Sequence, residues 1–254
     1  MVYGGGTMMR WIQMAGIELK LIFRGIDSIV FGMIMPIGIL ILIAVIAGDS
    51  AAGEGGYTFL DSAFASLIAV GICASAFMGI PLTLADYRDK KILKHFFVTP
   101  CSPSRLLGVI VACHVVVAAL SALSISVVAV LAFGYEMKGN LLLFIAVWLL
   151  TLAAMFSIGL LLASVCKGIK TTNAITSLVY FPMLFLSGAT IPFELFPDGL
   201  QNIASLLPLS QGIRLMKLVS LGQSSEAVLG IVVLLLAITL ICCMISVKAF
   251  RWEV

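Results

Sequence analysis

The sequence predicts an all-α integral membrane protein: six transmembrane helices, an N-terminal interfacial helix, and an external re-entrant helical hairpin between spans five and six. Three observations predict it. The chain is 62% hydrophobic and 11% charged, against roughly 45–50% apolar and about 25% charged in soluble domains, so its solvent is lipid. The charges are clustered, leaving six uncharged windows of 21 residues or more, each enough to cross a hydrocarbon core of roughly 30 Å. Threading those windows in alternation puts 12 of the 15 Lys and Arg on one side, which marks that side as cytoplasmic by the positive-inside rule.

The elements follow in order, within a single domain of residues 1–254. Over 7–27, Arg10, Gln13, Lys20, Arg24 and Asp27 recur at helical spacing, while Trp11, Ile12, Met14, Leu19, Ile22 and Phe23 fill much of the rest. That pattern predicts a helix lying in the inner interface. It serves either as a simple rest on the membrane or as a lever against which a soluble partner pushes. Span one covers about 28–48. Its apolar run exceeds the roughly 7–15 residues of a signal-peptide core and five spans follow, so it reads as an uncleaved anchor. Spans two to six cover about 62–85, 106–133, 141–166, 171–190 and 227–247. A further uncharged window, Gly199–Ile213, has 15 residues. At 1.5 Å per residue it reaches only about 22 Å, and Pro208 interrupts it. With Gly188, Pro192 and Pro197 breaking the chain before it, 191–213 is expected to dip in from outside as a lid. Irregular backbone at membrane depth is tolerated only where protein covers it or a cavity borders it.

An even span count puts both termini in the cytoplasm. The inner side then holds Arg10, Lys20 and Arg24, then Arg88, Lys90, Lys91, Lys94 and Arg105, then Lys167 and Lys170, and finally Lys248 and Arg251. Only Lys138, Arg214 and Lys217 lie outside.

What the spans lack bounds the function. No Asp, Glu, Lys or Arg sits near the midplane of any window, where such groups mark ion pathways and proton relays. His114 is the one ionisable side chain at depth, and a lone helical histidine is more often a packing residue than a relay. The six cysteines show no C-x-x-C spacing and read as small hydrophobes rather than a disulfide or zinc framework. No phosphate-binding G-x-x-x-x-G-K-[ST] loop is present, and no nucleophile–base pair is suggested. Energy for uphill movement must therefore come from another polypeptide.

The handle for such a partner is "LADYRDKKILKHFFVTPCSP", residues 84–103. Mixed charge with apolar residues at 92, 93, 96 and 97 predicts a short surface helix over 86–99, stopped by closely spaced prolines. Charge anchoring alone would need no aspartates, no tyrosine and no Thr-Pro terminator. This stretch resembles the cytoplasmic coupling segment between spans two and three of type-2 ATP-binding-cassette (ABC) permeases. The external stretch "LFLSGATIPFELFPDGLQNIASLLPLSQGIRLMK", residues 184–217, is similar to that family's Ser-Gly-x-x-x-Pro, Pro and Leu-Pro pattern after span five, here Ser187, Gly188, Pro192, Pro197 and Leu207-Pro208. Many members carry a Glu-Arg pair followed by glycine; here Tyr87-Arg88 and Lys90-Lys91 stand instead, and His95 occupies another usually basic position.

The resemblance implies the permease half of an exporter in a prokaryotic plasma (inner) membrane. It would be a homodimer or a heterodimer with a homologous permease, set on two separate ATP-binding subunits. The chain itself would be no enzyme and hold no cofactor; ATP and Mg would belong to the partner, and nucleic acid plays no part. Asp86, Arg88, Lys91 and Lys94 would touch that partner. Phe77, Phe181, Phe185 and Ser187 would line the path. A route without fixed midplane charge suits a hydrophobic or amphipathic cargo (a drug, a peptide or a lipid-like molecule). The alternatives are export of a glycan or lipid-linked polysaccharide, and a non-transporting membrane scaffold or sensor subunit.

Overall fold

A computed structural model describes residues 4–25, 30–47, 58–92, 103–166, 168–188, 197–223 and 228–249. These residues fold into helices joined by turns. α1 is Gly4–Arg24. A single π-turn, Val30–Ile34, leads into α2, Met35–Ala47. α3 runs unbroken over Phe59–Asp89, with a π-turn at Ser75–Gly79. α4 is Pro103–Phe133, α5 Leu141–Val165 and α6 Ile169–Leu186. Two short helices, α7 (Asp198–Ser205) and α8 (Pro208–Ser220), precede α9, Val228–Ala249.

Among the described residues, four helices are long and apolar enough to cross a membrane: Phe59–Asp89, Arg105–Phe133, Leu141–Val165 and Val228–Ala249. They fall where spans two, three, four and six are expected. The other two expected spans correspond to weaker elements. The apolar helix Gly32–Ile46 is shorter, and α6 carries Lys170, Thr171, Thr172 and Asn173 in its first two turns.

Burial runs opposite to hydrophobicity. α9 is the most apolar of the four, yet only 11% of its apolar stretch is buried, whereas 94% of that of α3 is. In water this order would be reversed; in lipid the greasiest helix belongs outside. α3 is therefore the axis of the fold. α2, α4, α5 and α8 pack along it, with Leu67, Ile68, Ile72, Phe77, Ile80 and Leu84 fully buried in the common core.

Small residues set the closest approaches, as lipid-embedded helices require. A Cβ on Gly159 of α5 would overlap the carbonyl of Ala76 in the α3 π-turn, and one on Gly212 of α8 would overlap the Thr151 side chain of α5. Hydroxyls bridge other contacts: Ser121 of α4 donates to the Gly32 carbonyl, and Ser164 of α5 lies 2.8 Å from Ser246 of α9.

α1 packs Met14, Ala15, Leu19 and Ile22 against Val109, Cys113 and Val117 of α4. Ile17, Leu21 and Phe23 face outward. One acidic residue, Glu18, is buried on the packed side. Sequence periodicity did not single it out.

Candidate functional site

The sequence places its strongest signal at residues 86–99, and α3 turns Tyr87 and Arg88 of that stretch inward rather than into solvent. Phe77, Ile80, Leu84 and Tyr87 continue one buried stripe at i+3 and i+4 spacing. The helix therefore ends packed, and its last turn is a cross-link. Three consecutive residues each bind a different element.

The Tyr87 hydroxyl donates to Glu18 Oε1 at 2.7 Å, tying α3 to α1. The Arg88 guanidinium donates through Nη1 to the carbonyls of Ala163 and Cys166, at 2.5 and 2.8 Å. These oxygens lie at the end of α5, where the last turn leaves carbonyls without partners and the helix dipole favours a cation. Asp89 Oδ2 accepts the Ile169 amide at 3.0 Å. That amide opens α6, where the dipole favours an anion, and the helix has no cap from its own Gly168. Thus two adjacent side chains of opposite charge grip the opposite poles of two helices. The connection between α5 and α6 is held between them.

Burial raises the Glu18 carboxyl above the ordinary carboxylate range, and the Tyr87 hydrogen bond partly offsets the rise. The buried Oε2 of Glu18 has no hydrogen-bond partner among the described residues.

Of the expected partner contacts, Asp86 pairs with Lys90 at 2.8 Å on the exposed side of α3. Lys91 is exposed and terminates the helix with φ 55°. A lysine in the left-handed region is uncommon and is one way a helix stops without glycine. Arg88 faces inward to α5 as described, and Lys94 lies outside the described residues. The 86–99 element is therefore divided. Residues 86–89 are the end of α3, Lys90–Ile92 form the turn, and 93–99 lie outside the described residues.

The four path residues are not brought together. Phe77 is wholly buried in the core, while Phe181 and Phe185 lie on the exposed face of α6. Ser187 is buried and donates to the Leu184 carbonyl at 3.1 Å. His114 presses its ring on Gly79 of the π-turn, its Nδ1 lying 2.9 Å from the Ile110 carbonyl.

At the other end of α3, Thr58 and Asp61 form a reciprocal capping box, and Asp61 pairs with Lys138 at 3.8 Å. Three of the four residues expected to form a lid lie here. Gly188, with φ 78°, ends α6, exposed Pro197 precedes α7, Pro208 opens α8, and Pro192 lies outside the described residues. Between these elements is a cavity of about 550 Å³ lined by Ser187, Ser205, Ser210, Gln211, Arg214 and Lys217, among others. Sequence reasoning found only Ser187 of these. The signal it passed over was the spacing of Ser210, Arg214 and Lys217 at i, i+4 and i+7, one face of α8.

Comparison with known proteins bears on the whole arrangement. A family model described as ABC-2 family transporter protein matches residues 49–248. Nodulation protein J of Rhizobium leguminosarum bv. viciae is 35% identical over 106 residues, which is 42% of this chain and 40% of that protein. Nodulation protein J of Rhizobium meliloti (strain 1021) is 27% identical over 169 residues, 66% of this chain and 64% of the relative. The inner membrane transport permease YhhJ of Escherichia coli (strain K12) is 26% identical over 129 residues, half of this chain and 34% of the relative. The chain thus spans about two fifths of the length of the first of these curated relatives.

Proposed function

Since the chain belongs to the ABC-2 transporter family, we propose that it is the permease subunit of an exporter driven by ATP hydrolysis in two separate nucleotide-binding subunits. Two such chains, identical or homologous, enclose the path. α2 and α6 complete six spans, and the end carrying Tyr87–Asp89 faces the cytoplasm. The cargo is hydrophobic or amphipathic.

The observation that carries this reading is the cross-link at the end of α3. A partner that grips the exposed Asp86–Lys90–Lys91 surface acts on a segment that cannot move alone. Tyr87 draws α1 with it, Arg88 draws the end of α5 and Asp89 the start of α6. Displacement at the surface becomes rigid-body motion of several helices, a common form of switching. The π-turn at Ser75–Gly79, wedged by Gly159 and His114, gives α3 a place to bend.

At the other end, Gly212 of α8 meets Thr151 of α5, ten residues beyond the start of that helix, or about 15 Å along it. That depth supports a re-entrant α7–α8 hairpin acting as the outer lid. The polar lining of the adjacent cavity favours the second reading, a cargo that bears a glycan.

The test is to co-express the chain with candidate ATPases and measure turnover with Lys90 and Lys91 both reversed to Glu. These side chains are exposed, so insertion and thermal stability should hold while stimulated turnover and export fall together. Wild-type turnover and export in that double variant would sink the coupling reading. A chain that draws down no ATPase would point to a scaffold or sensor.

A further inference from the structure

The cavity at the end of α3 opposite the basic cluster has features that closing a lid does not need. Its volume, about 550 Å³, falls in the range of small-ligand sites. Two buried polar atoms on its wall, Ser210 Oγ and Gln211 Oε1, have no hydrogen-bond partner among the described residues. Ser210 is only 7% exposed, and leaving a buried hydroxyl or amide oxygen unpaired is unfavourable. Gln211 is already fixed, because its Nε2 donates to the Ser205 carbonyl. That leaves Oε1 as an acceptor awaiting a donor.

The charge around these atoms is cationic. Ser210, Arg214 and Lys217 line the cavity from one face of α8, with the serine deep and the exposed arginine nearer the rim. The first turn of α8 carries Ser210 and Gln211, and no side chain caps it. α8 lies lengthwise along this space, lining it from Ser210 in the first turn to Leu221 just past the last. No acidic side chain lines the cavity among the described residues. The neighbouring carboxylate, Asp61, is engaged by the Thr58 amide and Lys138.

We propose that this cavity binds an anionic head group carrying both a phosphate-type oxyanion and a hydroxyl, of the glycerol-phosphate kind. The oxyanion accepts from Ser210 Oγ and Arg214, and the hydroxyl donates to Gln211 Oε1. The head group comes from a phospholipid of the surrounding leaflet or from the cargo. Only that second source rests on the exporter reading.

The experiment uses the full-length chain alone in detergent. Native mass spectrometry compares retention of phosphatidylglycerol with phosphatidylcholine, and thermal unfolding is followed with sn-glycerol 3-phosphate against glycerol. Preferential retention of phosphatidylglycerol is expected. Arg214→Gln should weaken it about tenfold, the loss of one charge-assisted hydrogen bond, and Ser210→Ala should weaken it less. Lys217→Gln serves as a second cationic variant should Arg214→Gln fail to fold, as judged by circular dichroism. Stabilisation by glycerol phosphate with the same variant dependence identifies the head group alone as sufficient. Retention of the lipid without that stabilisation assigns the site to a membrane lipid. Equal retention of both lipids, or wild-type binding by folded Arg214 and Ser210 variants, overturns the proposal. No ATPase is present, so a chain that binds the head group yet stimulates no ATPase keeps this site and loses the exporter reading.

Discussion

The two ends of α3 solve different problems with the same helix. At the basic end, three successive side chains reach three different elements, and each bond is directional and ends on a carboxylate or on main chain. At the other end the capping box satisfies α3 locally, the α8 contact is made by the absence of a side chain at Gly212, and a cavity with unpaired polar atoms remains beside it. Directional bonds to helix poles transmit displacement. Close packing around a cavity permits one body to slide or lift away from another. The difference is between an end tied to its neighbours and an end that leaves space beside them.

The strongest way to break this contrast is Arg88→Ala. Two charge-assisted bonds vanish and two carbonyls at the end of α5 lose a partner, so a destabilisation of about 3 kcal/mol is expected. Arg88→Lys should recover only part of it, because a flexible ammonium lacks the planar, pre-organised guanidinium that holds Nη1 between the two carbonyls. Thermal unfolding in detergent measures both. If Arg88→Ala unfolds like wild type, the basic end is no cross-link.

The matching test at the other end is Gly212→Ala. The added methyl meets Thr151, and overpacking of this kind costs about 1–3 kcal/mol. Thr151→Ala should restore much of the loss in the double variant, giving a coupling energy measurable by a mutant cycle. Additive effects would place Gly212 away from Thr151.

Legibility in the sequence divides along the same line. Uncharged windows locate the helices to within a few residues, because α4, α5 and α9 owe their existence to apolar length alone. The basic knot is legible as a special segment, yet the sequence reading gives Arg88 to a partner where the structure has it on the carbonyls of α5. Charge types say where a segment lies, not which way one turn of it faces. The i, i+3, i+4 stripe of Phe77, Ile80, Leu84 and Tyr87 held that information and extends to Arg88. Glu18 was opaque for another reason: its partner is 69 positions away, and no local pattern encodes such a pairing. The cavity residues were hidden because serines and glutamines near an external loop are ordinary, and only their convergence in space makes a site.

Asp89 sharpens the comparison at smaller magnitude. Asp89→Ala removes the one side-chain cap on α6 among the described residues and should cost about 1 kcal/mol, as loss of an N-cap does. Asp89→Asn keeps an acceptor oxygen and should lose a few tenths. Hydrogen exchange at Ile169 reads the difference, and equal protection in both variants would show that the carboxylate does not hold α6.

The smallest expected effect concerns pH and the α1 contact. Burial raises the Glu18 carboxyl, so the folded protein holds that proton at pH values where the unfolded chain, near pKa 4.3, has released it. The folded state then binds more protons, and stability falls as pH rises. The contribution is complete below about pH 4.3 and is lost as pH passes through the raised folded value. The difference in thermal midpoint between wild type and Glu18→Gln, scanned from about pH 4 to 8, isolates this group from every other carboxylate. Wild type should lose stability relative to Glu18→Gln as the pH climbs. Tyr87→Phe removes the bond that lowers the Glu18 pKa, so its loss should extend to higher pH. A midpoint difference that stays flat, or that grows in favour of wild type on the alkaline side, would mean that Glu18 is not buried against α3 and that α1 moves independently of the basic end.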